Sequence, residues 1–280
     1  MRSTTVDLGR LVSFLEEDAP FGDITSEAVV PAEVVLAAAV RTRERCVIAG
    51  LEEGVALFRH LGVEAEATVE DGAEVDPGTT VMTVSGPARA VLLGERTVLN
   101  IIGRMSGIAT ATRAAVRAVE AADPHLKVAS TRKTAPGLRA LDKKAAVLGG
   151  AEAHRLSLSD MVLIKDNHLG LVGFEEAVRR ARAYTLYHKV EIEVETAEDA
   201  VVAAKAGADL ILLDNMDPAA VAGAIKALQA AGLRDRVLVE VSGGITPETA
   251  PDYGGTGADL VSMGALTHTV RNVDVGLDIV

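Results

Sequence analysis

From about residue 130 the chain alternates short apolar, β-branched runs with longer segments whose apolar residues recur at helical spacing. The runs KVAST, MVLIK, VEIEVE, DLILLD, VLVEVSG and DLVSMG end near residues 131, 165, 195, 214, 243 and 264. Between them GFEEAVRRARAY, AEDAVVAAKAG and DPAAVAGAIKALQAAG read as helices. Asp217-Pro218 makes a good cap and first-turn pair, and Thr246-Pro247 predicts a further helix start. Strand and helix units in regular succession predict a parallel α/β barrel or a doubly wound sheet. A full barrel of eight units takes roughly 250 residues; this section is shorter, so six or seven strands are expected.

The first 110 or so residues have another rhythm. A helix is expected at 5 to 18, then a turn at Pro20-Phe21-Gly22-Asp23, then strand-like segments separated by Asp71-Gly72 and Asp76-Pro77-Gly78. EDGAEVDPGTTVMTVSG reads as a β-hairpin with ordinary turn chemistry; it superficially resembles a carrier-domain hairpin but has no modifiable Lys at its tip. The stretch from Ala88 to Ala122 reads as a helix joining the two halves. It is too apolar for a flexible linker, so the domains, 1–110 and 111–280, are expected to pack together, with a C-terminal segment free to return to the first.

Composition narrows the chemistry. The 280 residues are 49 % hydrophobic but only 2 % aromatic, with no Trp, so the core is built of Ala, Val, Leu and Ile. Single-stranded nucleic acid, which is bound by stacking on aromatic platforms, is disfavoured. The single cysteine, Cys46, excludes an internal disulfide framework; it reads as a buried or half-buried thiol and suggests a reducing compartment. Glu16, Glu17 and Asp18 stand where a signal peptide needs an apolar stretch, and no long apolar span follows. A cytoplasmic protein with no membrane association is expected.

Charge changes the picture most. The formal net charge is −12, yet residues 130–165 carry seven basic against three acidic side chains, leaving 21 against 37 elsewhere. A chain that repels anions globally and gathers cations locally is suited to a small polyanionic ligand more than to a nucleic-acid backbone. Lys143 and Lys144, four and five residues after Arg139, read as the solvated face of a helix. Arg132, Lys133 and Lys165 do not, because they fall at the carboxyl ends of expected strands, together with Glu193, Asp214, Ser242-Gly243-Gly244 and Gly264. That edge holds the active site in parallel α/β folds.

Within VEIEVE the two-residue period puts Glu191, Glu193 and Glu195 on one face and Val190, Ile192 and Val194 on the other. An outer helix layer takes the apolar face, leaving carboxylates inside, where they need cations or a metal. Glu193 and Asp214 together suit Mg²⁺ shared with substrate phosphates. Ser242-Gly243-Gly244 before Thr246-Pro247-Glu248, and Gly264-Ala265 after the next strand, suit a phosphate at a glycine turn and helix N-terminus. His60, His125 and His188 read as surface or satisfied histidines. His154, beside Arg155, suits a carboxylate through charge-assisted hydrogen bonds. No cluster has zinc-ligand spacing along the sequence.

The strings GERTVLNIIGRMSGIATAT, TRKTAPGLRALDKKA, GGAEAHRLSLSDMVLIKDNH, IEVET, ILLDNM, VSGGI and MGALTH together resemble the quinolinate phosphoribosyltransferase family, in order and over nearly the whole chain. The resemblance implies an N-terminal α/β sandwich domain and a seven-stranded, incomplete TIM-like α/β barrel. It implies that quinolinate and phosphoribosyl pyrophosphate give nicotinate mononucleotide, pyrophosphate and CO₂ with Mg²⁺ in NAD biosynthesis. A homodimer with active sites shared between subunits is also implied. Arg132, His154 and Arg155 would then hold the quinolinate carboxylates, with Arg96 arriving from the partner subunit. Lys133 and Lys165 would serve substrate anions and developing charge, Glu193 and Asp214 the ribose and metal, and Ser242, Gly243, Gly244, Gly264 and His268 the 5′-phosphate. Family members often carry Gly-Gly-Gly, a variable residue and Asn before His-Arg. Here Ala151-Glu152-Ala153 follows Gly149-Gly150, so His154 must be held without that Asn.

Two other readings share this barrel: the molybdenum-transport-associated paralogue, and a non-catalytic phosphate-ligand binding protein. The complete Lys165-Asp166-Asn167-His168 run argues against the first, and Glu193 and Asp214 beside several arginines against the second.

Overall fold

A computed structural model describes residues 6–280. The first part of the chain forms α1 (Leu8–Asp18), α2 (Ile24–Val29), β1 (Val35–Thr42), β2 (Cys46–Val47), α3 (Leu51–His60), β3 (Glu64–Ala67), β4 (Glu74–Val75), β5 (Thr80–Pro87) and α4 (Ala88–Ala122). There follow β6 (Lys127–Ser130), α5 (Arg139–Gly149), β7 (Val162–Ile164), α6 (Asp166–Leu169), α7 (Phe174–Tyr184), β8 (Val190–Val194), α8 (Ala197–Ala206) and β9 (Leu210–Asp214). The chain ends with α9 (Pro218–Ala230), β10 (Leu238–Ser242), β11 (Leu260–Met263), α10 (Ala265–His268) and β12 (Val275–Ile279). Two compact units result: one takes residues up to Ala111 with Lys144–Gly149 and Val270–Val280, the other Thr112–Lys143 and Gly150–Thr269.

In the first unit the sheet order is β12-β1-β5-β3, with antiparallel pairing throughout. The helix expected at 5 to 18 begins at Leu8, where Asp7 caps it by accepting the Arg10 N–H at 3.1 Å; residue 5 lies outside the described residues. The expected hairpin over 70–86 does not form. β4 pairs with β2, whereas β5 pairs with β1 and β3, so its two arms enter different sheets. The turn chemistry was sound: Thr79 N–H reaches Asp76 O, but Gly78 N–H goes to Thr42 O on β1 instead of closing a local ladder. Cys46 is buried, and burial pushes its thiol up to about 11, which makes it unreactive near neutral pH.

Lys144 is the first clear departure from the solvated-face expectation. Its amine lies 2.6 Å from Glu52 Oε2, 2.8 Å from Glu53 Oε1 and 3.9 Å from Asp71 Oδ2. Asp71 in turn accepts the N–H groups of Leu51 and Glu52 at 3.0 and 3.3 Å, satisfying the first turn of α3. Helical periodicity cannot tell a lysine facing water from one facing acids that are distant in sequence.

The second unit is built on a parallel sheet of order β6-β11-β10-β9-β8-β7. A seventh position survives as one parallel bridge, Ala129 to Glu152, with Glu152 N–H on Val128 O at 2.8 Å and Ser130 N–H on Glu152 O at 3.0 Å. The two-residue period sorts the strands as expected. Val190, Ile192, Val194, Ile211, Leu213, Val239, Val241, Val261 and Met263 pack with α8 and α9 residues such as Ala200, Ala203, Val221 and Leu228. Each such aliphatic side chain contributes about 1.5–3 kcal/mol on full burial. The alternate positions, Glu191, Glu193, Leu212, Asp214, Glu240 and Ser242, therefore share the inner side, and β8 stops at Val194, leaving Glu195 exposed.

Asp217 caps α9 by accepting the Ala220 N–H at 2.8 Å, as expected, but Thr246-Pro247 starts no helix. Thr249 Oγ1 takes the Thr246 N–H at 3.0 Å, a turn follows, and a short 3-10 helix forms only at Ala250–Tyr253. Pro251 inside that segment removes another donor, which leaves too few for a helical ladder.

Candidate active site

The carboxyl ends of β6 to β11 gather most of the expected groups. Arg132 and Lys133 follow β6; Arg132 Nε is buried with no hydrogen-bond partner, and Lys133 is exposed. The Lys133 carbonyl accepts from Thr267 Oγ1 at 2.9 Å, which ties the segment to the turn after β11. Gly264 opens that turn. A methyl group there would come within 2.8 Å of Lys133 Cδ and 3.0 Å of the His268 ring, so the absence of a side chain lets Lys133 lie across it.

Arg155 is 9 % exposed, and its pKa is lowered by burial and by the neighbouring charge of Arg132. Lys143, expected on a solvated face, is 2 % exposed; burial, then Arg139, brings its amine down to about 8 despite Glu240. Its Nζ donates to the carbonyls of Ser130, at 3.3 Å, and Ala153. Lys143 and Arg155 both lie in the field of Arg132, a repulsion that Glu240 and Glu191 offset only in part and that a further anion would relieve.

His154 occupies the left-handed region at φ 52°, which costs a non-glycine residue roughly 1–2 kcal/mol. Its Nδ1 accepts the Arg155 N–H at 2.8 Å, which in the neutral ring puts the proton on Nε2. Nε2 lies 3.1 Å from Glu240 Oε2 and 3.3 Å from Glu191 Oε2, within ion-pair range but outside good hydrogen-bond alignment. Burial opposes charging the imidazole, but Glu191 and Glu240 outweigh it and raise its pKa to about 9. Charging requires a proton on Nδ1 and loss of the Arg155 contact, which resists that change. The ring is thus directed at buried acids and not held free for a ligand carboxylate. His154, Glu191 and Glu240 have ligand atoms within 4.8 Å of one another, but Lys143 and Arg155 act on the same acids and disfavour a further cation.

Lys165 leaves β7 and pairs with Glu193 on β8, while its own N–H is accepted by His168 Nδ1 at 3.0 Å. Asp214 ends β9, and its carboxyl is raised by burial and by the charge of Glu193. Two carboxylates that repel across adjacent strands offer oxygen ligands of the kind Mg²⁺ takes, although Lys165 already pairs with one of them and would have to turn away for both to serve an ion. Asn215, at φ 54°, donates from Nδ2 to Asp214 Oδ2 at 2.6 Å and holds that carboxylate. Ser242 lies opposite Asp214 in the β9 to β10 register. Gly243 and Gly244 have φ 99° and 63°, and a side chain at Gly243 would come within 2.7 Å of Asn215 N. His268 is exposed and shares a 2.8 Å hydrogen bond with Thr269 Oγ1.

Arg96, in the other unit, is exposed and makes no ion pair with Glu95 or any other acid among the described residues. Its apolar sequence neighbours do not bury it: Val98 and Leu99 face inward while Arg96 faces out. Lys143 lies here and not on the solvated face expected of it, and Glu240 and Asn215 join the site without having been expected there. Glu240 carries a signal of the same kind as the glutamates of VEIEVE, because in VLVEVS it falls on the face opposite Val237, Val239 and Val241.

A model of the quinolinate phosphoribosyl transferase C-terminal domain matches residues 108–278, and one of the N-terminal domain matches residues 23–106. The chain belongs to the quinolinate phosphoribosyltransferase family. It is 43 % identical to the carboxylating nicotinate-nucleotide pyrophosphorylase of Mycobacterium leprae, over 95 % of this chain and 94 % of that one. Identity to a probable enzyme of the same name from Methanothermobacter thermautotrophicus is 42 %, covering 95 % and 96 %. The crystal structure of NadC from Streptococcus pyogenes superposes with a TM-score of 0.91 at 34 % identity, covering 100 % of this chain and 99 % of that one. These matches take in the α/β unit and the barrel-like unit with its parallel sheet of six strands.

Proposed function

We infer that this chain transfers the phosphoribosyl group of phosphoribosyl pyrophosphate to quinolinate, releasing pyrophosphate and CO₂ and giving nicotinate mononucleotide for NAD biosynthesis. The observation that carries this reading is the cluster of mutually repelling cations, Arg132, Lys143 and Arg155, at the carboxyl end of a parallel sheet. Quinolinate brings two carboxylates to such a place. Arg132 and Arg155 hold them, with His154 beside; Lys133 and Lys165 face the phosphates, and Ser242, Gly243, Gly244, Gly264 and His268 take the 5′-phosphate.

Glu193 and Asp214 would hold Mg²⁺, which when bound supplies charge stabilisation for the departing pyrophosphate. Lys133 adds fixed positive charge to the same leaving group. As the ribose C1 bond breaks, the carboxylates of Glu193 and Asp214 support positive charge on the sugar. The pyridine nitrogen then bonds to C1; the electron pair left by the departing CO₂ stays on the ring carbon beside the now cationic nitrogen, and a proton from water completes nicotinate mononucleotide. No organic cofactor is needed for that step.

The test is release of CO₂ from quinolinate by purified protein with phosphoribosyl pyrophosphate and Mg²⁺. Quinolinate is expected to exceed nicotinate by up to roughly 10⁴ in kcat/KM, because a site built for two carboxylates leaves cations unpaired with one. Equal turnover of the two acids overturns the assignment.

The reading extends to a cytoplasmic homodimer with shared sites, in which exposed Arg96 reaches the partner's substrate. Its exposure without an acidic partner supports this. Mixing inactive Arg96→Ala and Lys165→Ala chains should restore part of the activity, since one site per heterodimer keeps both side chains. Verified heterodimers as inactive as their parents would return Arg96 to a role within its own chain.

A further inference from the structure

We propose that Lys143 is a positioning residue for quinolinate: by donating to the main-chain carbonyls of Ser130 and Ala153 it fixes the spacing between the two segments that carry the carboxylate-binding arginines. This rests on the reading of the site given above.

The geometry is local on both sides. Arg132 stands two residues after Ser130, and Arg155 two residues after Ala153. The segments touch through Ser130 N–H on Glu152 O at 3.0 Å and Ser130 Oγ on Ala153 O at 3.1 Å, and the pairing there is one bridge long. A full strand would set the register by its own ladder; one bridge sets it weakly. Lys143 Nζ adds a donor to each segment at the point where the bridge ends. Immediately beyond, His154 is held in the left-handed region, a conformation that persists only where its surroundings over-determine it. Glu152 itself is exposed, so holding this turn does not fall to its side chain.

An alternative role in neutralising a protein acid accounts less well for the burial. A lysine placed for that purpose would sit in a carboxylate cluster as Lys144 does, whereas the charges acting on Lys143 are Arg139, Arg132 and Arg155 against Glu240. An ammonium buried among cations is costly unless its hydrogen bonds and an incoming anion offset that cost.

Lys143→Met keeps the length and apolar stem and removes the donors. The expected result is a folded protein whose KM for quinolinate rises ~10- to 100-fold, with kcat and the KM for phosphoribosyl pyrophosphate within about threefold of the unmodified chain. Lys143→Arg, which keeps charge and donors, should recover most of the quinolinate KM. Should the Met variant fail to fold, Lys143→Gln, which stays polar but is one bond too short to reach both carbonyls, is measured in the same way. A folded Met or Gln variant with unchanged quinolinate KM overturns the proposal, as does an equal rise in both KM values. The unmodified protein is assayed alongside: if it releases no CO₂ from quinolinate, the functional reading fails, whatever the variants do.

Discussion

Lys143 and Lys144 are neighbours on α5 and both lie out of water, yet their surroundings are opposite. Lys144 is met by Glu52, Glu53 and Asp71; burial opposes its charge, and the hydrogen bonds to Glu52 and Glu53 outweigh burial and raise its pKa. Lys143 is met by two carbonyls and faces three arginines, and burial followed by Arg139 brings it down to about 8. A cation that serves the fold is neutralised within the protein. One that serves a ligand is left partly uncompensated, because the compensation arrives with the substrate, and perturbed groups of this kind collect at functional sites. The same contrast separates Glu53, raised by burial but bonded to Lys144, from Asp214, raised by burial and by a second acid.

The contrast is sharpened most by removing the compensated lysine. Lys144→Met leaves Glu53, which is 3 % exposed, as an unpaired buried carboxylate beside Asp71. Breaking a buried pair from one side costs about 3–5 kcal/mol; Glu52, at 52 % side-chain exposure, contributes little of it, so about 2–4 kcal/mol is expected in urea unfolding. In the fraction that folds, the quinolinate KM should stay within about twofold. A stable Lys144→Met protein with impaired quinolinate binding would erase the distinction drawn between the two positions.

The sequence carried the strand and helix alternation, the inward carboxylates of β8 and the strand-end placement of Arg132, Lys165, Asp214 and Gly243, because these follow from periods of two and 3.6 residues. It did not carry the partners of Lys143 and Lys144. Periodicity says which face a residue occupies, and both buried and solvated charges satisfy it. The failed hairpin at β4 and β5 and the missing helix after Thr246 have a shared cause: local turn and cap chemistry was present, but distant strands and prolines decided where the N–H groups went. The His154, Glu191 and Glu240 cluster joins three segments separated by up to 86 residues and has no signature in any one of them.

A smaller effect tests the charge state on which the contrast depends. The Lys143 amine has an ordinary value of 10.5 and a folded value of about 8. Below pH 8 both folded and unfolded chains hold the proton, and the folded protein bears the whole cost of the buried charge. Between about 8 and 10.5 the unfolded chain binds a proton that the folded chain has released, so this group makes stability rise with pH. His154 acts with the opposite sign: its folded value of about 9 exceeds 6.5, so its contribution is present below 6.5 and is lost as pH rises through 9. That second slope belongs to the unmodified protein and to Lys143→Met alike, and it cancels to first order when the two are compared. The stability of the unmodified protein relative to Lys143→Met should therefore increase by on the order of 1–3 kcal/mol between about pH 7.5 and 9.5. Urea unfolding of both proteins at the two pH values reads this difference directly. A constant gap, or one that moves the other way, would mean that Lys143 is neutralised within the protein after all, and that its contrast with Lys144 is one of partners but not of charge.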